Sequence, residues 1–257
     1  MKSFTAIALE GFPFVSHGDD LARLIIETAS KNGLELEEGD VIVAAQKIFS
    51  KAENRVVKLS DVTPSREAEE LAKVVQKNAK FVELVLRETK KIVKASPDIL
   101  LVEDARGLIC INAGIDKSNV KGRASYALLP EDSDKSAERC RARIKELIGK
   151  NVAVIVCDTY SRPFRRGQVN FAIGFAGINV FKDYRGRKDL FGHVLKVKNV
   201  AIVDEVAAAA ELLMGQGAEA RPVVVFRGLS EFVGFCEEHR IEDLEISKEE
   251  DLFRSAL

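Results

Sequence analysis

Arg162, Arg165 and Arg166 crowd into the segment Asp158-Thr159-Tyr160-Ser161-Arg162-Pro163-Phe164-Arg165-Arg166-Gly167. A guanidinium is a planar fork that meets phosphate or carboxylate oxygens two at a time, and an acid such as Asp158 beside it suits a divalent cation. The segment follows the apolar run Val152–Cys157, which has strand length, and ligands bind at the carboxyl ends of strands in α/β sheets. The alternative is a turn acid with solvated arginines, although arginines bracketed by Pro163 and Gly167 are an odd way to build a turn. The bias continues through Lys182, Arg185, Arg187 and Lys188, so seven basic residues face three acids, Asp158, Asp183 and Asp189, before His193. In a chain of formal charge −1 this is concentrated positive charge, suited to a polyanion such as a nucleotide or phosphodiester. Tyr184 would stack on a heteroaromatic ring or pack at the rim.

A second acid, Asp116, lies in Asn112-Ala-Gly-Ile-Asp116-Lys-Ser-Asn119, just after the apolar run Leu108–Ile111. Alone it reads as a loop cap. Paired with Asp158, it offers two carboxylates from different strands to one hard, oxygen-seeking cation. Lys47 and Lys51, after the run Val41–Ala45, would reach phosphates as point charges or begin a solvated helix. Leu213-Met214-Gly215-Gln216-Gly217 closes a helical pattern with small residues, either to admit a ligand to the backbone amides or as a plain helix cap.

These residues need a scaffold, and 257 residues with 46% hydrophobic and 31% charged composition suffice for a substantial core. Strand-length apolar runs occur at Ala6–Leu9, Val41–Ala45, Ile99–Val102, Leu108–Ile111, Val152–Cys157, Val200–Val203 and Val223–Phe226. Helical spacing occurs at Asp20–Asn32, Ser65–Lys77, Ala79–Thr89, Ser136–Ile148 and Asp204–Met214, with starts expected at Ser65 and Ser136. The expectation is a mixed α/β protein, with one domain over 1–236, an internal junction near 130–135, and a charged tail over 237–257 forming a surface helix.

The near balance of charge argues against nucleic acid as a partner. No apolar stretch reaches the roughly 20 residues that cross a bilayer, and no signal-peptide pattern opens the chain, so neither membrane nor export is expected and the cytoplasm is the default. Cys110, Cys140, Cys157 and Cys236 are widely spaced and fit buried free thiols. GxxxxGK[ST], HExxH, GxSxG and a strand-linked GxGxxG are all missing, and His17, His193 and His239 do not cluster.

Taken together the motifs resemble the GTP-dependent coenzyme F420-0:γ-glutamyl ligases. The match runs in order through Gly11-Phe-Pro-Phe14, Asp40-Val41, Ser50-Lys51-Ala-Glu53, Asn112–Asn119, Asp158-Thr159 with Arg162 and Phe164–Gly167, and Ala172-Ile-Gly174 with Ala176-Gly177. It continues through Asp183-Tyr-Arg-Gly186 with Asp189, Asp204-Glu205 with Ala207–Ala210, and Arg227-Gly-Leu229. The resemblance implies a mixed-sheet γ-glutamyl-ligase-like fold, an intertwined homodimer, GTP as cosubstrate, and Mg2+ or Mn2+, with a monovalent cation such as K+ as a further ion. It assigns metal ligation to Asp116, Asp158, Thr159 and Gln216. Nucleotide contacts fall to Phe12, Pro13, Phe14, Val15, Gln46, Lys47, Lys51, Asn119 and the loop Met214, Gly215, Gln216, Gly217, Ala218, Glu219, Ala220 and Arg221. Two departures stand out: Tyr160-Ser161 replaces a residue followed by glycine, and Gln216 is a neutral ligand.

The implied reaction joins L-glutamate to the carboxylate of the deazaflavin precursor, coenzyme F420-0. A carboxylate must first become an acyl phosphate, because its own leaving group is poor. Lys51 and Arg165 are the expected catalytic residues at the transferring phosphoryl group, and Arg162, Arg166 and Arg185 the substrate-anion ligands. Repetition on the new γ-carboxylate would add successive γ-linked glutamates. Two other readings share these residues: a same-fold ligase for another cofactor acid, and a non-catalytic metal- and nucleotide-binding regulator.

Overall fold

The structure is a computed structural model that describes residues 2–162, 164–234, 239–247 and 249–251. Pro163, Cys236 and parts of the tail lie outside the described residues. In chain order the elements begin β1 (Thr5–Ala8), α1 (Leu21–Lys31), β2 (Val41–Ala45), α2 (Gln46–Ala52), β3 (Val56–Lys58), α3 (Arg66–Val75) and α4 (Ala79–Arg87). They continue with β4 (Thr89–Ser96), β5 (Ile99–Asp104), β6 (Ile109–Ile111), β7 (Ser125–Ala127), α5 (Ser133–Ile148), β8 (Ala153–Arg162) and β9 (Arg165–Ala176). Last come β10 (Phe181–Asp183), β11 (Asn199–Ala201), α6 (Ile202–Met214) and β12 (Val223–Arg227). The fold is mixed α/β, as the alternation of patterns predicts.

The chain divides into two compact units, the first made of residues 1–14, 19–48 and 133–244, the second of 15–18, 49–132 and the described residues from 245 on. The first is built on a five-stranded sheet of order β1-β12-β2-β8-β9, in which only β2 and β8 run parallel. Both faces of its centre are covered, which is why Val41-Ile-Val-Ala44 and Val152–Val156 are continuously apolar and fully buried. Helix α6 packs Val203, Val206, Ala207 and Ala210 against the face carrying Val43, Ile155 and Phe175. At Gly174 a Cβ would lie 2.3 Å from the Ser133 carbonyl carbon, so glycine there lets α5 begin directly against β9.

The second unit packs α3 and α4 on the three-stranded sheet β4-β5-β6, with Val75, Phe81, Val82, Val85, Leu100 and Val102 in its core. Ser65 caps α3 as expected, accepting from the Ala68 N–H at 3.2 Å. The expected start at Ser136 is corrected: α5 begins at Ser133. Asp134 points inward, where its oxygens accept from the Phe175 and Ile241 N–H groups at 2.9 and 3.0 Å. The expected strand at Val200–Val203 also shortens, because α6 begins at Ile202. In the described part of the tail the regular element is a single 3-10 turn at Ile241–Leu244 rather than a surface helix. Cys110, Cys140 and Cys157 are buried free thiols, and burial, reinforced by the charge of Asp20, pushes Cys140 up to about 12. Among the described residues no helix is long and apolar enough to cross a membrane.

Candidate active site

One end of the five-stranded sheet collects most of the residues singled out in the first unit. The parallel ladder of β2 and β8 stops at the pair Ala45 and Cys157, so the next residues on the two strands are Gln46, which opens α2, and Asp158. Strand β12 starts at the same level, with the Ala45 N–H donating to the Pro222 carbonyl, and the loop from Met214 therefore ends there. Strand β1 leaves beside it: the Leu9 N–H donates to the Val223 carbonyl, and Gly11-Phe-Pro-Phe14 follows. Phe12 is buried there, whereas Pro13 and Phe14 are exposed, Phe14 almost completely.

The expectation that Asp158 leaves a strand is corrected. Strand β8 runs on to Arg162, paired beyond Cys157 only with β9, so Asp158 and Thr159 sit on a two-stranded ribbon that outgrows the sheet. Its register shifts at Val156 and Cys157, an irregularity that bends a strand and re-aims its side chains. Beside the shift, Asp204 accepts from the Ala172 N–H at 3.0 Å; burial pushes its carboxyl up, and this bond pulls it part of the way back. At the ribbon's far end Phe164 holds a left-handed φ of 60°, uncommon for an aromatic residue, and the exposed Arg165 and Arg166 follow it. Arg162 folds back to give one guanidinium N–H to the Arg166 carbonyl at 3.3 Å. Arg185, by contrast, spends its fork on Asp183 at 2.7 to 3.0 Å, which holds the Asp183 carboxyl below its usual range.

At the base of the ribbon a polar cluster forms. The Gln216 amide nitrogen donates to Thr159 Oγ1 at 2.7 Å and to both oxygens of Glu211 at 2.8 and 2.9 Å. Thr159 Oγ1 in turn donates to Asn170 Oδ1 at 2.9 Å, and the Asn170 amide nitrogen faces the sulfurs of Cys157 and Met214 at 3.5 and 3.8 Å. Burial first, then the negative charges of Asp158 and Glu211, push the Cys157 thiol up, so it stays protonated and is no nucleophile.

The turn that presents Gln216 depends on Gly215, whose φ is 67° and whose absent Cβ would lie 2.4 Å from the Glu219 side-chain carboxyl carbon. The Gly217 N–H donates to that carboxylate at 2.8 Å, Ala218 is exposed, Ala220 is left-handed at φ 53°, and Arg221 lies 3.9 Å from Glu10.

The first unit thus gathers Phe12, Gln46, Asp158, Thr159 and Gln216 at one sheet end, with Lys47 next along the chain. Val15, Lys51, Asp116 and Asn119 belong to the second unit. Asp116 there pairs its backbone with Ala127 in both directions, and its carboxylate takes the Ser118 N–H and hydroxyl. Among the described residues no three His, Cys, Asp or Glu side chains converge as a metal cluster. The oxygen-bearing side chains carried to this sheet end, a carboxylate, a hydroxyl and an amide, are of the kind that suits Mg2+ or Mn2+ better than zinc.

Sequence reasoning missed Asn170 and Glu211. Asn170 is the lone amide in the apolar stretch Val169–Phe175, which was a usable signal. Glu211 looked like any acid on a solvated helix face.

A sequence model of the family described as F420-0:Gamma-glutamyl ligase matches residues 11–228. A protein of Archaeoglobus fulgidus named coenzyme F420:L-glutamate ligase is 45% identical over 249 residues, 97% of this chain and 96% of that protein. Proteins of the same name from Methanopyrus kandleri and Methanocaldococcus jannaschii are 45% and 43% identical, over 89% and 86% of this chain and 90% and 86% of theirs. With the match spanning both units and every segment of the candidate site, the chain belongs to the F420-0:γ-glutamyl ligase family.

Proposed function

We propose that this chain, an amino-acid ligase, joins L-glutamate to the carboxylate of the deazaflavin coenzyme F420-0 at the expense of GTP, through an acyl phosphate, in F420 biosynthesis in the cytoplasm. What supports this reading is the convergence at one sheet end of Asp158, of Thr159 hydrogen-bonded to Gln216, of Gln46, of the Phe12 segment and of the glycine loop. Asp158, Thr159 and Gln216 would hold Mg2+ or Mn2+, and Asp116 is proposed separately as a cation ligand of the second unit. When bound, such an ion neutralises triphosphate oxygens and lowers the barrier to phosphoryl transfer.

The chain's own side chains do the rest. Gln46 and Lys47 of the first unit are proposed nucleotide contacts, and so, each in its own unit, are Lys51 and Asn119 of the second, the lysines as point charges on phosphate oxygens. Arg165 at the ribbon tip offsets charge on the transferring group, while Arg162 and Arg166 hold the anionic arm of the deazaflavin substrate. Arg185 would join them only by releasing Asp183. The substrate carboxylate attacks the γ-phosphorus, GDP leaves, and the glutamate amine then displaces phosphate from the acyl carbon. GDP release should require both glutamate and the deazaflavin acid. GDP release with neither present would make the chain a nucleotidase or regulator instead.

We also infer a homodimer, since Leu190, Phe191 and Val197 stand almost fully exposed on the segment between β10 and β11, and large bare apolar side chains grouped this way favour a covering surface. Light scattering should give about twice 28.3 kDa, and a particle of 28.3 kDa alone at working concentration would refute it.

A further inference from the structure

The Gln216 side chain presents a choice that its own chemistry does not make. An amide offers a carbonyl oxygen on one edge and two N–H protons on the other, and half a turn about its last bond exchanges them. Only the oxygen edge can bind a cation.

In this structure both protons are spent internally, one on Thr159 Oγ1 and one on the Glu211 carboxylate. A carboxylate only accepts, so it can face the N–H edge and repels the carbonyl edge. Thr159 is fixed from its other side, where its own proton goes to Asn170 Oδ1, leaving a lone pair of Oγ1 for a second partner.

We propose that Glu211 is a positioning residue that locks the Gln216 amide so that its carbonyl oxygen faces the divalent cation. This rests on the reading above that Gln216 and Thr159 hold the ion. Glu211 takes no part in bond making. It acts as the outer partners of metal ligands commonly do, by fixing which atom of the inner ligand is turned inward.

The test is Mn2+ binding by the full-length protein with no substrate present, followed by electron paramagnetic resonance of the free ion, for wild type, Glu211→Gln, Glu211→Asp, Gln216→Ala and the double variant Glu211→Gln/Gln216→Ala. Glu211→Gln should weaken Mn2+ by about 10- to 100-fold, the usual loss for an outer partner, with Glu211→Asp recovering part of it. The metal-free melting temperature should not change. In the Gln216→Ala background the same Glu211→Gln change should cost less than about threefold, because the residue it acts through is gone. An undiminished loss there would overturn positioning and make Glu211 a ligand in its own right. Unchanged affinity in Glu211→Gln, alongside weak binding in Gln216→Ala, would also overturn it while leaving the metal reading intact. Unchanged affinity in Gln216→Ala would overturn the metal reading itself, and this inference with it.

Discussion

Asp158→Asn should remove nearly all ligase activity, at least three powers of ten or on the order of 4 kcal/mol of transition-state stabilisation, while the protein stays folded. Asparagine keeps the shape of the side chain and most of its hydrogen bonding, so what is lost is one negative charge. Because a charge and no packing is removed, the melting temperature of Asp158→Asn without metal should stay close to that of wild type, whereas added Mg2+ should raise it less than it raises wild type. Asp116→Asn should lose activity to a similar degree. Chelation should silence the wild-type enzyme, with Mg2+ or Mn2+ restoring it and zinc doing so poorly. Wild-type turnover in Asp158→Asn would sink the role of Asp158 as a ligand of the cation.

Arg165→Lys is expected to lower turnover by one to three powers of ten, about 1.4–4 kcal/mol, although it preserves charge. Arg165 stands exposed at the tip of the ribbon, immediately after the left-handed Phe164. Packing does not explain it. Lysine presents a point charge where arginine presents two parallel donors, so a contact to the transferring phosphoryl group would lose geometry as well as strength. The Michaelis constant for GTP should change less than turnover. If Arg165 merely anchors the phosphodiester of the deazaflavin substrate, that substrate's Michaelis constant would rise and turnover would hold. Steady-state kinetics with each substrate varied decides between them, and a variant unchanged in every constant would return Arg165 to solvent.

Strand β2 was legible to the residue, because a short β-branched run buried on both faces leaves no other period to read. The ribbon was not. From Asp158 to Gly167 the chain is polar, charged and punctuated by proline and glycine, which reads as a loop. Residues 158–162 and 165–167 nevertheless hold strand geometry, because β8 and β9 supply one another's partner hydrogen bonds outside any apolar core. Asp158 was therefore expected at a strand exit and lies within a strand. The start of α5 was misjudged for a related reason, since Asp134 is an acid buried by two backbone N–H groups and looks like a solvated turn residue in sequence. Glu211 and Asn170 stayed hidden because their role comes from meeting Gln216 and Thr159 across elements, and no spacing along the chain encodes that meeting.

Glutamate should become covalently attached to the deazaflavin acid at the cost of GTP. Mass spectrometry of the products from purified protein, coenzyme F420-0, L-glutamate, GTP and Mg2+ decides this. The deazaflavin substrate should become heavier by whole glutamyl residues, with one GDP and one phosphate released for each residue added. An unchanged deazaflavin mass with GTP consumed, or an adduct of another amino acid in preference to glutamate, would contradict it.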